Sequence, residues 1–387
     1  MNQFLTHYIT NKITPVKQDI SNLEQHFSRR EALYKALGVP PILFKDKKVL
    51  EIGPGGGYNP LVTQSFQLNK YELVEPNQYA IDDIDFIFKK YKIETQNIFI
   101  HNSTFEDYSS DEKFDIIICE GMIPGLDNKE EILKKIDVLL DVGGIAILTC
   151  IDEVAYFFEI LRHYIAFQLI KKEAIFDKKL DILEDAFTSH LNTLKGMSRF
   201  KRDWCADNLM GTMHFNYNFS FNECLQFFKD GYTYYGSSPN MFTDYRWYKE
   251  IPNDNIEFNN YFINQFAKKR HNLLIYNEIY SERDISKNQE LVHLCKKIFL
   301  HIEDEVVHKK DSNKNILEVL ESISDNISDL GENNIVYNSL LEVKQLIQNK
   351  EYEIEIVSNK YHNFQQAFGR GAFYISLIKE FPNASIE

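Results

Sequence analysis

The residues best placed to do chemistry are gathered in Val49-Leu50-Glu51-Ile52-Gly53-Pro54-Gly55-Gly56-Gly57-Tyr58. A short apolar run ends in a carboxylate and then turns through four glycines and a proline. That pattern predicts a buried first strand over 48–52, feeding a loop whose backbone comes close to a ligand. About twenty residues on, Tyr71-Glu72-Leu73-Val74-Glu75-Pro76-Asn77 reads as a second strand tipped by Glu75. A carboxylate at that position suits the paired hydroxyls of a ribose. A third strand over 98–101 leads to Asn102 and Ser103, and the Asn102 side-chain oxygen can accept a hydrogen bond. The dinucleotide fingerprint G-x-G-x-x-G fails, because Tyr58 stands where its third glycine belongs, and no Gly-Lys-Ser/Thr follows to make a phosphate loop.

What fits is Glu-x-Gly-x-Gly-x-Gly, and the stretch from Val49 to about Cys150 resembles class I S-adenosylmethionine-dependent methyltransferases. The resemblance implies S-adenosylmethionine as cofactor, held by Glu51, Gly53, Gly55, Gly57, Glu75, Pro76, Asn102, Ser103, Glu120 and Gly121. It also implies an α/β fold, a seven-stranded, mostly parallel, doubly wound sheet in the order 3-2-1-4-5-7-6. A fourth strand is expected over 114–119, a helix over 129–140 stopped by Gly143-Gly144, and a fifth strand over 145–150. Strand six is expected over 232–235 and strand seven over Leu273–Asn277.

The elements divide the chain into an N-terminal helical cap (1–45), a methyltransferase domain (46–280) and a C-terminal helical region (284–387). Ser28-Arg29-Arg30-Glu31 has the form of a capping box, with Gly38 and Pro40-Pro41 ending its helix. Ser220-Phe221-Asn222-Glu223 is a second such box. A helical insertion over about 152–218 follows strand five, where an acceptor-binding lid is expected. Ile316, Leu320, Ile323, Ile327 and Leu330 form a short heptad-like seam, which raises a homodimer through the C-terminal helices alongside an intramolecular hairpin.

Methyl transfer to a hydroxyl needs a base for the departing proton. The candidates are Asp152, Asp207 and His214, with His163 and Asp203 beside them. Arg30 and Tyr34, Tyr58, Trp204, Arg246 and Trp247, and Arg370 between two glycines are the candidate acceptor-binding residues. Aromatic faces next to arginine forks suit a sugar. A weaker similarity to bacterial methyltransferases of surface-polysaccharide and related small-molecule pathways implies O-methylation of a sugar or nucleotide sugar. Protein or amine N-methylation, a non-catalytic cofactor-binding scaffold, and a nicotinamide oxidoreductase are the alternatives.

With 43 Lys and Arg against 57 Asp and Glu, the net charge of −14 speaks against a nucleic-acid partner. Five cysteines without a C-x-x-C pair suit a reducing cytoplasm and neither a metal site nor a disulfide framework. The longest apolar stretch, 156–170, is interrupted by Glu159, Arg162 and His163 and is too short for a membrane span.

Overall fold

The computed structural model describes residues 3–211, 215, 218–331 and 334–381. In chain order its helices are α1 (Gln3–Asn11), α2 (Leu23–Ala36), α3 (Tyr58–Gln64), α4 (Gln78–Lys90), α5 (Lys129–Leu139), α6 (Phe157–Ile170), α7 (Phe176–Leu191) and α8 (Lys201–Leu209). There follow α9 (Phe221–Phe227), α10 (Asn255–Lys269), α11 (Ile285–Val306), α12 (Asn313–Asn326), α13 (Ile335–Asn349), α14 (Ile354–Asn359) and α15 (His362–Gln366). The strands are β1 (Lys48–Ile52), β2 (Lys70–Val74), β3 (Ile98–His101), β4 (Phe114–Cys119), β5 (Leu140–Ile151), β6 (Tyr232–Ser238) and β7 (Ala372–Lys379).

The seven strands make one sheet in the order β3-β2-β1-β4-β5-β7-β6, as the resemblance implies. β1 to β5 are parallel, and β7 runs antiparallel to both β5 and β6. The central strands read as unbroken apolar runs because helices cover both of their faces. Val49, Leu50, Ile117 and Ile118 are fully buried.

The chain forms two compact units. The first holds residues 1–151, 216–266 and 372–387, and so contains the whole sheet. Its core joins Tyr34 and Leu37 beside the C-terminal end of α2 to Val49, Leu61, Tyr71, Ile84 and Ile118. The second unit holds residues 152–215 and 267–371 and is helical. The insertion after β5 and the C-terminal helices are therefore two halves of one body. Arg162 on α6 ties them together. Its buried guanidinium donates to the carbonyls of Phe364 (2.7 Å) and Ala367 (2.6 Å) and stacks 3.6 Å from the Phe368 ring centroid. The seam residues Ile316, Leu320, Ile323 and Ile327 are fully buried inside this unit, while Leu330 is half-buried.

Three expectations about elements are corrected. Strand seven is not Leu273–Asn277, where Arg270–Leu273 instead forms a short 3-10 helix. The strand comes from the tail, Ala372–Lys379, where Phe373, Ile375 and Leu377 alternate into the core. Gly143-Gly144 does not stop a helix but lies within the twelve-residue β5. Ser28 opens no helix. α2 already starts at Leu23, with the Asn22 side chain accepting from Gln25 N–H (3.0 Å). The second capping box is present as expected, with Ser220 and Glu223 bonded reciprocally at the start of α9.

Candidate active site

The glycine loop leaves β1 at the sheet's centre, next to β2 and β4. Gly53 N–H donates to Val74 O (2.9 Å), which fixes the loop's first step to the second strand. Gly57 caps α3 at φ +83°, where any other residue is strained, and a Cβ there would lie 3.0 Å from Ile84 Cα on α4. A side chain at Gly57 would thus push α3 and α4 apart.

Glu75 follows β2 directly and is 4% exposed. Its carboxylate accepts Gly55 N–H (3.1 Å) and Asn77 N–H (2.9 Å), bridging the glycine loop and the entry to α4. Burial raises its pKa to about 7, against those two donors, which lower it. Pro76 is half-buried beside it. Asn77 caps α4 and also donates from Nδ2 to Ile13 O (3.1 Å), bringing the N-terminal segment to the loop. Thr14 donates to Asp83 (2.6 Å) in the same segment. An N-terminal cap over 1–45 was expected from the sequence; the contacts it makes through Ile13 and Thr14 were not.

Asn102 is exposed after β3, where its Nδ2 donates to Gln78 Oε1 (2.7 Å) on α4; Ser103 is half-buried next to it. Glu51 faces inward. It accepts the Tyr71 hydroxyl, and burial first, then the Glu120 charge, raises its pKa to about 7. Glu120 follows β4 and forms a two-pronged ion pair with Arg30, NH2 to Oε1 at 2.6 Å and NH1 to Oε2 at 3.0 Å. Tyr34 is fully buried, its hydroxyl taking Arg30 NH2 (3.0 Å) and lying 3.1 Å from Thr63 Oγ1. Tyr58 begins α3, and its carbonyl lies 2.8 Å from His26 Nε2. Gly121 borders open space, since a Cβ there would meet nothing within 4 Å. One unit thus brings together the glycine loop, Glu75, Asn102, Glu120, Gly121, Arg30 and Tyr34.

The remaining candidates are placed elsewhere. Asp152 lies in the second unit, caps Val154 N–H (2.9 Å) and pairs with Arg270 (2.7 Å). Asp207, also in that unit, pairs with Arg199. Each of these carboxylates neutralises an arginine. Burial lowers the pKa of His163 to about 4, and its Nδ1 lies 3.2 Å from Asn208 O. His214 lies outside the described residues. Arg370 gives its donors to the carbonyls of Asn272, Tyr276 and Glu278 at 2.8–2.9 Å, where its fork holds a loop of the second unit. Trp204 packs edge-on against Phe368, with ring centroids 6.3 Å apart. In the first unit, Arg246 grips Asp244 (2.7 Å) and covers the Tyr261 ring at 3.8 Å, while Trp247 is 57% exposed. β6 runs parallel to β5, because both oppose β7, so the loop bearing Arg246 and Trp247 leaves from the carboxyl edge of the sheet. No group of three or more metal-ligating residues is present among the described residues.

Residues 25–177, which hold the glycine loop, Glu75 and Glu120, match the family described as a methyltransferase domain. Residues 25–177 thus carry a methyltransferase domain. The chain is also 24% identical over 154 residues to the ubiquinone biosynthesis O-methyltransferase of Rickettsia felis. That alignment covers 39% of this chain and 51% of the relative, about half its length. Among solved structures, the N-methyltransferase NodS from Bradyrhizobium japonicum, in complex with S-adenosyl-L-homocysteine, is similar at 16% identity and a TM-score of 0.30. The match covers 40% of this chain and 75% of NodS. The CcbJ methyltransferase from Streptomyces caelestis is similar at 15% identity and a TM-score of 0.27, over 34% of this chain and 51% of CcbJ. Within this methyltransferase domain the Glu75 carboxylate, the loop amides and the open side of Gly121 make a chemically suitable set for a nucleoside bearing an amino acid.

Proposed function

We propose that the protein methylates a hydroxyl of a polar small molecule, a sugar or sugar-linked intermediate, using S-adenosylmethionine. The observation that carries the reading is Glu75, a buried carboxylate at the carboxyl end of β2 that already bonds the glycine loop. S-adenosylmethionine supplies a methyl group activated as a sulfonium. Glu75 would hold its ribose, Asn102 its adenine, and the loop amides with Glu120 and Gly121 its amino-acid end. The protein's task is then to fix the acceptor and exclude water, and positioning of this kind contributes on the order of 7–11 kcal/mol. A hydroxyl acceptor is supported by the O-methyltransferase among the relatives. A sugar is supported by the exposed Tyr245, Trp247 and Tyr248 on the loop after β6.

The test is transfer of a labelled methyl group to a panel of sugars and nucleotide sugars, with proteins and amines run beside it. Label on a sugar oxygen is the expected result. Label confined to protein or amine nitrogen overturns the acceptor assignment. Absence of transfer to any acceptor, with cofactor bound, would make the chain a binding protein.

A further inference from the structure

Directly paired residues of antiparallel strands point to the same face of a sheet. Two layers of side chains therefore cross β5, β7 and β6 on one face: Ile147, Ser376 and Gly236, then Thr149, Tyr374 and Ser238. Ile147 and Tyr374 both pack on the core that holds Tyr34 and Leu37, which identifies the face. In the inner layer the hydroxyl has a structural task, since Ser376 Oγ donates to Leu37 O (2.6 Å). In the outer layer it has none. Thr149 is 1% exposed, yet its Oγ1 has no hydrogen-bond partner among the described residues. A buried hydroxyl left unbonded is costly, and Val would fill the same space in the run Ile145-Ala146-Ile147-Leu148 without that cost.

The outer layer lies at the carboxyl edge of the sheet: Thr149 is near the end of β5, Tyr374 near the start of antiparallel β7, and Ser238 ends β6. All three belong to the first unit. Burial first, then the Glu120 charge, pushes the Tyr374 pKa up to about 12, against Arg30, which lowers it. The phenol therefore stays protonated, and the two charges it feels are paired with each other. A row of neutral hydroxyls, each able to donate and to accept, beside a balanced ion pair suits an uncharged polyhydroxyl molecule. We propose that Thr149, Tyr374 and Ser238 form the acceptor subsite, which binds neighbouring hydroxyls of an uncharged sugar ring. Thr149 is closed to solvent, so a side chain must shift to admit the sugar. Tyr374, its half-buried register partner, is assigned that movement. This inference rests on the methyltransferase reading above and narrows its acceptor to an uncharged ring at a named place.

Transfer of a labelled methyl group from S-adenosylmethionine to the methyl glycosides of glucose, galactose and mannose tests it. Each glycoside is run beside its 2-amino-2-deoxy and 6-phosphate forms, and calorimetry follows S-adenosylhomocysteine binding to each protein. A neutral glycoside should take label ahead of its amino and phosphate forms. Thr149→Val and Tyr374→Phe each remove one hydroxyl while keeping the side chain's shape. Each should lower kcat/KM for that glycoside roughly fivefold or more, chiefly through KM, and leave S-adenosylhomocysteine affinity within about twofold. Thr149→Val should also keep or raise the melting temperature, because it deletes an unmade bond. Unchanged kcat/KM in both variants overturns the subsite, and so does a lower melting temperature for Thr149→Val. Preference for the amino or phosphate forms, or label on none of the glycosides, overturns the uncharged ring. Weakened S-adenosylhomocysteine binding in the variants gives these hydroxyls to the cofactor and also overturns the proposal. Failure of the unaltered protein to bind S-adenosylhomocysteine overturns instead the methyltransferase reading beneath it.

Discussion

Burial holds three carboxyl groups, Glu51, Glu75 and Glu159, at a pKa of about 7, well above their value in an unfolded chain. A carboxyl raised in the folded state binds its proton more tightly there, so folding is favoured at low pH and loses stability as pH climbs toward and past 7. Glu159 belongs to the second unit and is not among the residues proposed to hold the cofactor, so it isolates the effect. Replacing it with Gln should remove about 1 kcal/mol of the stability lost between pH 6 and 8. Urea unfolding at the two pH values checks this, and an unchanged slope would show that Glu159 ionises normally. At this scale the sequence was informative where a role follows from a strand tip, as for Glu75. It was silent on partners. Arg30 was readable as a cation near the site, but Glu120, to which it is bonded, lies 90 positions away. For the same reason Arg370 and Arg246 looked available for a substrate, while the fold gives them carbonyls and Asp244.

The glycine loop joins β1 to α3, and its last glycine decides how closely α3 approaches α4. Gly57→Ala should cost about 1–2 kcal/mol from the left-handed backbone alone, with more from the contact at Ile84. A fall in melting temperature together with weaker S-adenosylhomocysteine binding is the expected outcome; an unchanged affinity would separate the loop from the ligand. In the second unit, a Cβ on Gly369 would lie 1.8 Å from Ala155 O, a contact that only a backbone shift relieves. Gly369→Ala should therefore be the more damaging change, read as loss of soluble, protease-resistant protein. The parallel strands were legible because a strand covered on both faces is written as a local apolar run. The edge was not legible from local pattern. β7 earns its place by pairing with β5 on one side and β6 on the other, and neither partner is near it in sequence. The capping boxes show the same limit, since Ser220 caps a helix while Ser28 lies inside one that Asn22 had already begun.

Across the whole molecule, the chain leaves the sheet-bearing unit after Ile151 and returns at Ala372, and these two residues are register partners in β5 and β7. The C-terminal segment is therefore not a removable appendage. A chain ending at residue 283 lacks β7, which separates β5 from β6, and should not fold into a cofactor-binding unit. Soluble truncated protein that still binds S-adenosylhomocysteine would contradict that topology. Composition and pattern revealed the methyltransferase sheet, but the union of residues 152–215 with 267–371 depends on long-range contacts such as that of Arg162 with Ala367. Glu75 and the glycine loop are proposed to bind an adenosyl amino acid. Isothermal titration of S-adenosylhomocysteine into the intact protein and into Glu75→Ala tests this most directly. Loss of charged hydrogen bonds of about 1.5–3 kcal/mol each predicts one saturable site that weakens at least tenfold in the variant. No binding to the intact protein, or equal affinity in both, would contradict it.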